Sequence, residues 1–361
     1  MDLRSFFLCW LLIVPAISDT TPAHPIASLF KVNLDDNQNA GCQSRSKTLT
    51  TWLSESKDLV EAGLKAFEHA ASTSNDEYGV AARYLKTYFN LSPGGPGTAT
   101  GNLEKVQKFL KGTPLALDET PRMFCQDTWL KKLRRTDSAY DGDSKHHLKK
   151  INEDGSESEI PIEDVPDYRN MLWGQTEEGE VVSNGYVPYW SEDLKQYIFD
   201  SDYDGKTPCT SGSVGAAQDQ TRPSTITLCP AAFTNPEGSV TLGSKTPRNK
   251  VITDVLSRSV TFYHELFHLV LGSVDTPDTT YFWEVMRELL ENPTKRDKTG
   301  DDTHQDLIRK NPETYAFFSV GYWYFLQENS KWGTDSTKRW SFQSGTAELV
   351  EPKKVDAPEG S

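Results

Sequence analysis

Large apolar side chains recur at intervals of three and four residues in the first third of the chain. This spacing is typical of amphipathic helices, and it predicts a helical part at about 43–120. Within that part we expect further helices at 78–89 and 103–110, separated by the chain-breaking run at 94–97. The apolar positions of the first helix are Trp52, Leu53, Leu59, Val60, Leu64 and Phe67.

The pattern then changes to short runs rich in β-branched and aromatic residues. These runs predict strands at 186–190, 194–199 and 225–229. Thr246-Pro247 indicates a helix start, with Thr as N-cap and Pro at the first helical position. Gly272 indicates the end of that helix. Its apolar positions are Val251, Val255, Val260, Tyr263 and Phe267.

Two segments lack such patterns. Residues 141–165 hold eight acidic and three basic side chains and few large apolar ones, which predicts a solvated, acidic surface insertion. His146 and His147 lie in it, but an adjacent pair cannot face one ion from a helix, so we expect an ordinary surface role. The polar segment 341–361 predicts a flexible tail.

Composition narrows the function classes. The net charge of -14 disfavours nucleic-acid binding, which needs clustered Lys and Arg. No apolar run after the N-terminus reaches eighteen residues, which excludes a multispan membrane protein. Residues 1–18 predict a secretory signal, with Arg4, an apolar stretch at 6–16, and small residues at Ala16 and Ser18. We therefore expect a secreted protein that is free of the membrane once the signal is removed.

The remaining cysteines fit that compartment. Cys9 leaves with the signal, and the four that stay imply two disulfides without deciding their pairing. These cysteines are Cys42, Cys125, Cys209 and Cys229. Asn90 opens an Asn-Leu-Ser sequon and is the expected glycosylation site.

The sequence His-Glu-Leu-Phe-His at 264–268 carries the candidate chemistry. His264 and His268 are four residues apart, so on a helix both imidazoles face one ion, and neutral imidazole is a good ligand for Zn²⁺. Glu265 lies beside the first ligand and can act as the general base on a metal-activated water. The motif predicts a zinc hydrolase site.

The third zinc ligand stays open on spacing alone. Asp278 lies ten residues after His268, and Glu288 lies twenty after it. His304 is a further candidate, preceded by a polar loop. For Glu288 the competing interpretation is a solvent-facing carboxylate on a helix predicted at 282–290.

Residues 275–281 read Asp-Thr-Pro-Asp-Thr-Thr-Tyr. This resembles the Gly-Thr-x-Asp-x-x-Tyr-Gly signature of aspzincins, the deuterolysin-type fungal zinc metalloendopeptidases that include lysine-specific members. The resemblance implies that Asp278 is the third zinc ligand and that the Tyr281 hydroxyl supports the developing oxyanion. Asp275 and Phe282 stand where the signature has its first and last Gly.

Other stretches are similar to the same family. Residues 225–230 resemble its strand before the metal helix, and residues 311–318 resemble its downstream Asn-Ala-Asp segment. There Glu313 matches an acidic position that accepts the substrate lysine in lysine-specific relatives, whereas Ala316 replaces a second carboxylate. A first-turn helix carboxylate is the competing interpretation of Glu313. The family order also implies the pairings Cys42–Cys125 and Cys209–Cys229.

Together these features predict an α+β, zincin-like domain at 19–340, with its metal-site part at about 185–330. The expected function is a secreted endopeptidase with one Zn²⁺ per chain and Glu265 as general base. Its substrates would be proteins or peptides, with basic ones favoured by the negative charge, and we expect a monomer. The alternative is a secreted zinc-binding or host-interaction protein with little or no proteolytic activity.

Overall fold

A computed structural model of the chain describes residues 24–351, except 36–37, 96, 116–118, 177, 220, 329–331 and 333–336. The predicted signal at 1–18 and the end of the predicted tail at 352–361 lie outside the described residues. The remainder mixes helices with several small sheets, so the predicted α+β class is confirmed.

The helices of the predicted N-terminal helical part lie where apolar periodicity places them. The predicted part at 43–120 contains α1, α2 and α3, and α2 has the predicted bounds. The helices are α1 (Ser46–His69), α2 (Tyr78–Phe89), α3 (Thr98–Leu110), α4 (Pro166–Leu172), α5 (Pro230–Thr234), α6 (Ser259–Leu271), α7 (Trp283–Glu291), α8 (His304–Lys310) and α9 (Pro312–Leu326).

The strands form one mixed sheet, one antiparallel sheet and three hairpins within the described residues. The mixed sheet has the order β1-β2-β11-β10, with β10 antiparallel to β11 at one edge. The antiparallel sheet has the order β3-β8-β9, and the hairpins are β4-β5, β6-β7 and β12-β13. The strands are β1 (Lys31–Val32), β2 (Arg122–Phe124), β3 (Leu130–Lys132), β4 (Lys149–Ile151), β5 (Glu157–Glu159), β6 (Trp173–Gln175), β7 (Val181–Ser183), β8 (Tyr186–Ser191), β9 (Gln196–Ser201), β10 (Gly215–Gln218), β11 (Thr225–Leu228), β12 (Arg339–Ser341) and β13 (Glu348–Val350).

The main core surrounds α6. This helix contacts α1, α3 and α9 as well as strand β10. Nearly every residue of α6 and α9 is buried, so both helices are enclosed on all sides, as expected for helices inside a domain. Gly63 of α1 allows the close crossing with α9, because a Cβ there would lie 2.8 Å from the Ser319 hydroxyl oxygen.

The helix start predicted at Thr246-Pro247 is wrong. Helix α6 begins at Ser259, and Ile252–Val255 forms only a 3₁₀ turn. The backbone at Lys250 and Ile252 pairs with a distant segment: Ile252 N–H donates to Gly345 O at 2.8 Å, and Ala347 N–H donates to Lys250 O at 2.8 Å. These long-range hydrogen bonds occupy groups that a longer helix would have used.

The acidic segment at 141–165 is exposed but folded. It contains the hairpin β4-β5, and Ile162 and Val165 are buried in a small satellite core. Two side-chain pairs lie within the segment: Lys149 with Glu157 at 2.9 Å, and His147 with Glu159 at 3.0 Å. The buried Ile162 and Val165 attach the segment to the rest of the fold.

The prediction of a flexible tail from residue 341 is wrong for 341–351. Residues in this stretch complete β12 and form β13, and Phe342 is fully buried. Two tyrosine hydroxyls bind the Phe342 backbone. Phe342 N–H donates to the Tyr84 hydroxyl, and the Tyr88 hydroxyl donates to Phe342 O at 2.9 Å. Polar composition concealed these contacts from the sequence pattern.

Two disulfides join the parts of the fold. Cys42 pairs with Cys125, and Cys209 pairs with Cys229, so the predicted pairing is confirmed. The second disulfide ties the loop before β10 to the end of β11. Among the helices that the structure describes, none has both the length and the apolarity needed to cross a bilayer.

Candidate metal centre

Helix α6 and the loop after it bring three donor atoms together. His264 and His268 lie one turn apart on α6, and their Nε2 atoms are 3.1 Å from each other. Gly272 ends the helix with φ 92°, a conformation that favours glycine. The chain then turns back and places Asp278 Oδ1 at 3.0 Å from His264 Nε2 and at 3.1 Å from His268 Nε2.

The size of this triangle fits a zinc ion. Ligand atoms bound at about 2.0–2.1 Å in tetrahedral geometry lie roughly 3.3 Å apart. The three observed separations, 3.0 to 3.1 Å, are close to that value. Two imidazoles and one carboxylate also form a typical three-ligand set for a catalytic zinc, which keeps its fourth position for water or substrate.

Hydrogen bonds behind the imidazoles fix their protonation. Glu313 Oε2 accepts from His264 Nδ1 at 3.0 Å. The Thr276 hydroxyl donates to Gly272 O at 2.7 Å, so its oxygen must accept from His268 Nδ1 at 3.1 Å. Both rings therefore carry a proton on Nδ1, so Nε2 is the nitrogen of each ring that is available to a metal ion.

The carboxylate is oriented in the same way. Tyr281 donates its hydroxyl proton to Asp278 Oδ2 at 2.6 Å, which leaves Oδ1 directed at the two imidazoles. The Tyr281 ring also stacks on His264, with centroids 5.6 Å apart. Three potential ligand atoms thus converge on one point, and this arrangement suits a cation.

The electrostatics of the site agree with a centre that favours positive charge. Burial lowers the pKa of His264, but its hydrogen bonds to Asp278 and Glu313 outweigh burial and raise that pKa to about 10. Burial also raises the pKa of Asp278, but its hydrogen bonds to His264 and His268 prevail and hold that pKa well below its usual range. The surrounding groups therefore stabilise a positive charge at the imidazoles.

Glu265 lies beside this triangle and is buried. Within the described part of the chain, its Oε2 atom has no hydrogen-bond partner. Burial raises the pKa of the Glu265 carboxyl, opposed in part by His264, His268 and the backbone N–H of Ala217. A buried carboxylate oxygen without a donor is costly to maintain, so this atom is a candidate for chemistry.

The structure distinguishes between the three candidate third ligands. Asp278 joins His264 and His268 in a group that could hold a metal ion. Glu288 is exposed on α7. His304 opens α8, where its Nδ1 lies 3.3 Å from Leu289 O. Neither of these two residues belongs to the group.

Glu313 and Tyr281 have contacts that sequence reasoning did not anticipate. Glu313 lies in the first turn of α9, as its competing interpretation expected, but its carboxylate is buried against His264. Its carboxylate therefore lies behind the His264 ring, on the side away from Asp278. The Tyr281 hydroxyl, expected near an oxyanion, is bound to Asp278.

Thr276 and Gly215 were missed as site residues. Thr276 lies two residues before Asp278, inside the stretch that resembles the family signature, so its position was a usable signal. Gly215 is 50 residues before Glu265 in the chain, and only the fold brings the two together. Asn90, the predicted glycosylation site, lies half-buried at the C-terminal cap of α2 with φ 50°.

Comparison of the chain with protein-family models, curated proteins and solved structures finds no match. The function must therefore be inferred from the site itself.

Proposed function

We propose that this protein is a secreted, zinc-dependent endopeptidase with a zincin-like fold of the aspzincin type. The observation that carries the proposal is the convergence of three lone-pair donors beside a buried carboxylate oxygen that lacks a partner. The donor set fits Zn²⁺, and the adjacent free oxygen fits a proton acceptor.

His264, His268 and Asp278 would hold the ion. Zn²⁺, when bound, supplies a Lewis acid that polarises a carbonyl group and lowers the pKa of water. Glu265 accepts a proton from the attacking water and delivers it to the departing amine. Burial raises the pKa of the Glu265 carboxyl, which strengthens it as a proton acceptor.

The hydrogen-bonded residues around the ligands hold them in place. Glu313 and Thr276 keep the imidazole lone pairs directed inward. Tyr281 orients Asp278, and its side chain is about half exposed, at 54% for the residue. To stabilise a developing oxyanion, the Tyr281 hydroxyl would leave Asp278 and donate to substrate.

Strand β10 provides a surface for an extended peptide. It is an edge of the mixed sheet, and α6 packs against it. Unpaired backbone groups of an edge strand can bind a peptide as an added strand. The net charge of -14 favours the approach of basic protein substrates, with a stronger effect at low salt.

The disulfides support an extracellular location, because such bonds persist in oxidising compartments. A secreted zinc-binding protein without activity would share the metal ligands. It would not need a buried Glu265 oxygen free of partners, and this favours the enzyme.

The test is metal-dependent cleavage of a basic protein such as a histone by the purified full chain. We expect new peptide termini by mass spectrometry, loss of cleavage with a zinc chelator, and recovery after one equivalent of Zn²⁺. His264→Ala is the control for a contaminating protease. A zinc-loaded chain that cuts no peptide bond would refute the proposal and favour a zinc-binding function.

A further inference from the structure

Gly215 is the first residue of the edge strand β10 and lies next to Glu265, the candidate general base. A Cβ atom placed on Gly215 would lie 2.6 Å from Glu265 Oε1, 3.0 Å from its Cγ and 3.1 Å from its Cδ. Real Cβ atoms essentially never approach another heavy atom to less than 3.0 Å. Even an alanine at this position would therefore collide with the carboxylate.

The glycine is needed for space rather than for backbone conformation. Gly215 is not among the glycines with positive φ, and it pairs regularly with Leu228 of β11. Any L-residue can adopt this backbone. The Glu265 side chain fills the volume that a side chain on β10 would otherwise take.

We propose that Gly215 is a positioning residue for Glu265, an inference that rests on the proposed peptidase function for its catalytic consequence. Helix α6 cannot move away from β10, because Phe262, Leu266 and Leu269 are packed in the core. An added methyl group at Gly215 therefore displaces the Glu265 carboxylate itself. Its free Oε2 atom turns away from the position in which it accepts a proton.

The chain contains a matched control. Gly174 is a half-buried strand residue in β6, also without positive φ, and a Cβ there would lie 2.6 Å from Asn184 Oδ1. Gly174→Ala thus introduces a methyl group at the same distance from a side-chain oxygen. Neither Gly174 nor Asn184 belongs to the metal centre.

The experiment is a double-mutant cycle between Gly215→Ala and Glu265→Ala in the full chain. Thermal unfolding of the zinc-free protein is the first measurement. We expect Gly215→Ala to lower Tm when Glu265 is present and to have little effect in the Glu265→Ala background, where the collision is absent. Equal lowering of Tm in both backgrounds, or failure to fold in both, would overturn the proposal.

Steady-state kinetics of the zinc-loaded protein is the second measurement. We expect Gly215→Ala to lower kcat at least about 10-fold, with KM and zinc content unchanged. Gly174→Ala should keep the wild-type kcat. Unchanged kcat in Gly215→Ala would refute the positioning role, whereas a wild-type chain that hydrolyses nothing would refute the proposed function and leave the Tm cycle as the test of the contact.

Discussion

Helix α6 takes part in two polar networks that differ in completeness. At its first turn, the closed network joins Glu55 to Leu242 and to the hydroxyls of Ser257 and Ser259. Glu55 accepts from Leu242 N–H at 2.9 Å and from Ser259, so each carboxylate oxygen has a donor.

In the middle of α6, the open network consists of His264, Glu265, His268 and Asp278. Among the described atoms, Glu265 Oε2 has no hydrogen-bond partner, and the two Nε2 atoms and Asp278 Oδ1 lie within 3.1 Å of one another.

Under the proposed function, this difference separates a structural carboxylate, Glu55, from a reactive one, Glu265. Burial raises the pKa of both Glu55 and Glu265, so the direction of the pKa shift does not distinguish them. Their hydrogen-bond partners distinguish the two carboxylates. A network that is complete within the protein contributes to folding, whereas one that needs a cation and a water to be complete indicates function.

The largest expected effect tests the ligands of the open network. Asp278→Asn removes the anionic metal ligand. We expect zinc affinity to fall by more than about 100-fold, because even the loss of a hydrogen bond to a ligand costs about 10- to 100-fold. Competition with a chromophoric chelator measures it. Glu288→Gln, the carboxylate that spacing alone allowed, should keep wild-type affinity. Unchanged affinity in Asp278→Asn would remove Asp278 from the centre.

The next effect concerns the carboxylate behind His264. Glu313→Gln weakens the hydrogen bond that orients the His264 ring. We therefore expect zinc affinity to fall about 10- to 100-fold. Glu284→Gln is the matched control, because Glu284 is also a first-turn carboxylate and is exposed on α7. Equal, small effects of both substitutions would mean that Glu313 acts only on the helix dipole.

A smaller effect is expected from breaking the closed network. Glu55→Ala leaves the Leu242 N–H and the Ser259 hydroxyl without their acceptor, so the free energy of unfolding should fall by about 1–3 kcal/mol. Zinc affinity should stay at its wild-type value. Glu265→Gln should not lower stability in the same urea titration. A larger loss of stability in Glu265→Gln than in Glu55→Ala would contradict the comparison.

The smallest effect is a pH dependence. Burial, opposed by the Ser259 and Leu242 hydrogen bonds, raises the pKa of Glu55 above 4.5. The folded chain therefore keeps this proton to higher pH than the unfolded chain does. Relative to Glu55→Gln, the wild-type free energy of unfolding should be largest below pH 4.5 and should decrease as pH rises through the raised pKa. Denaturant curves of zinc-free protein over this range measure it, and a relative stability that rises with pH would contradict it.

Local features of the structure could be predicted from sequence, and long-range ones could not. The spacing of His264 and His268 is a property of one helical turn, so the motif predicted their convergence. The choice of Asp278 over Glu288 depends on the turn after Gly272, which spacing does not encode. The contact of Glu313 with His264 joins residues 49 positions apart, and no local pattern predicts it.

The errors in the fold have the same origin. The helix start at Thr246-Pro247 satisfied the local rules for capping, but the backbone that follows pairs with residues near Gly345. The tail looked polar, yet Tyr84 and Tyr88 bind the backbone of Phe342. In each case tertiary hydrogen bonds prevailed over a correct local preference.

The most direct test of the open network as a catalytic site is the hydrolysis rate of the wild-type chain and Glu265→Gln, each carrying one zinc per chain. Removal of a general base typically costs about 10²- to 10⁴-fold in rate. We predict a loss of at least about 100-fold in Glu265→Gln, with zinc content and Tm retained. Equal hydrolysis by the two zinc-loaded proteins would show that Glu265 is not the general base and would contradict the account.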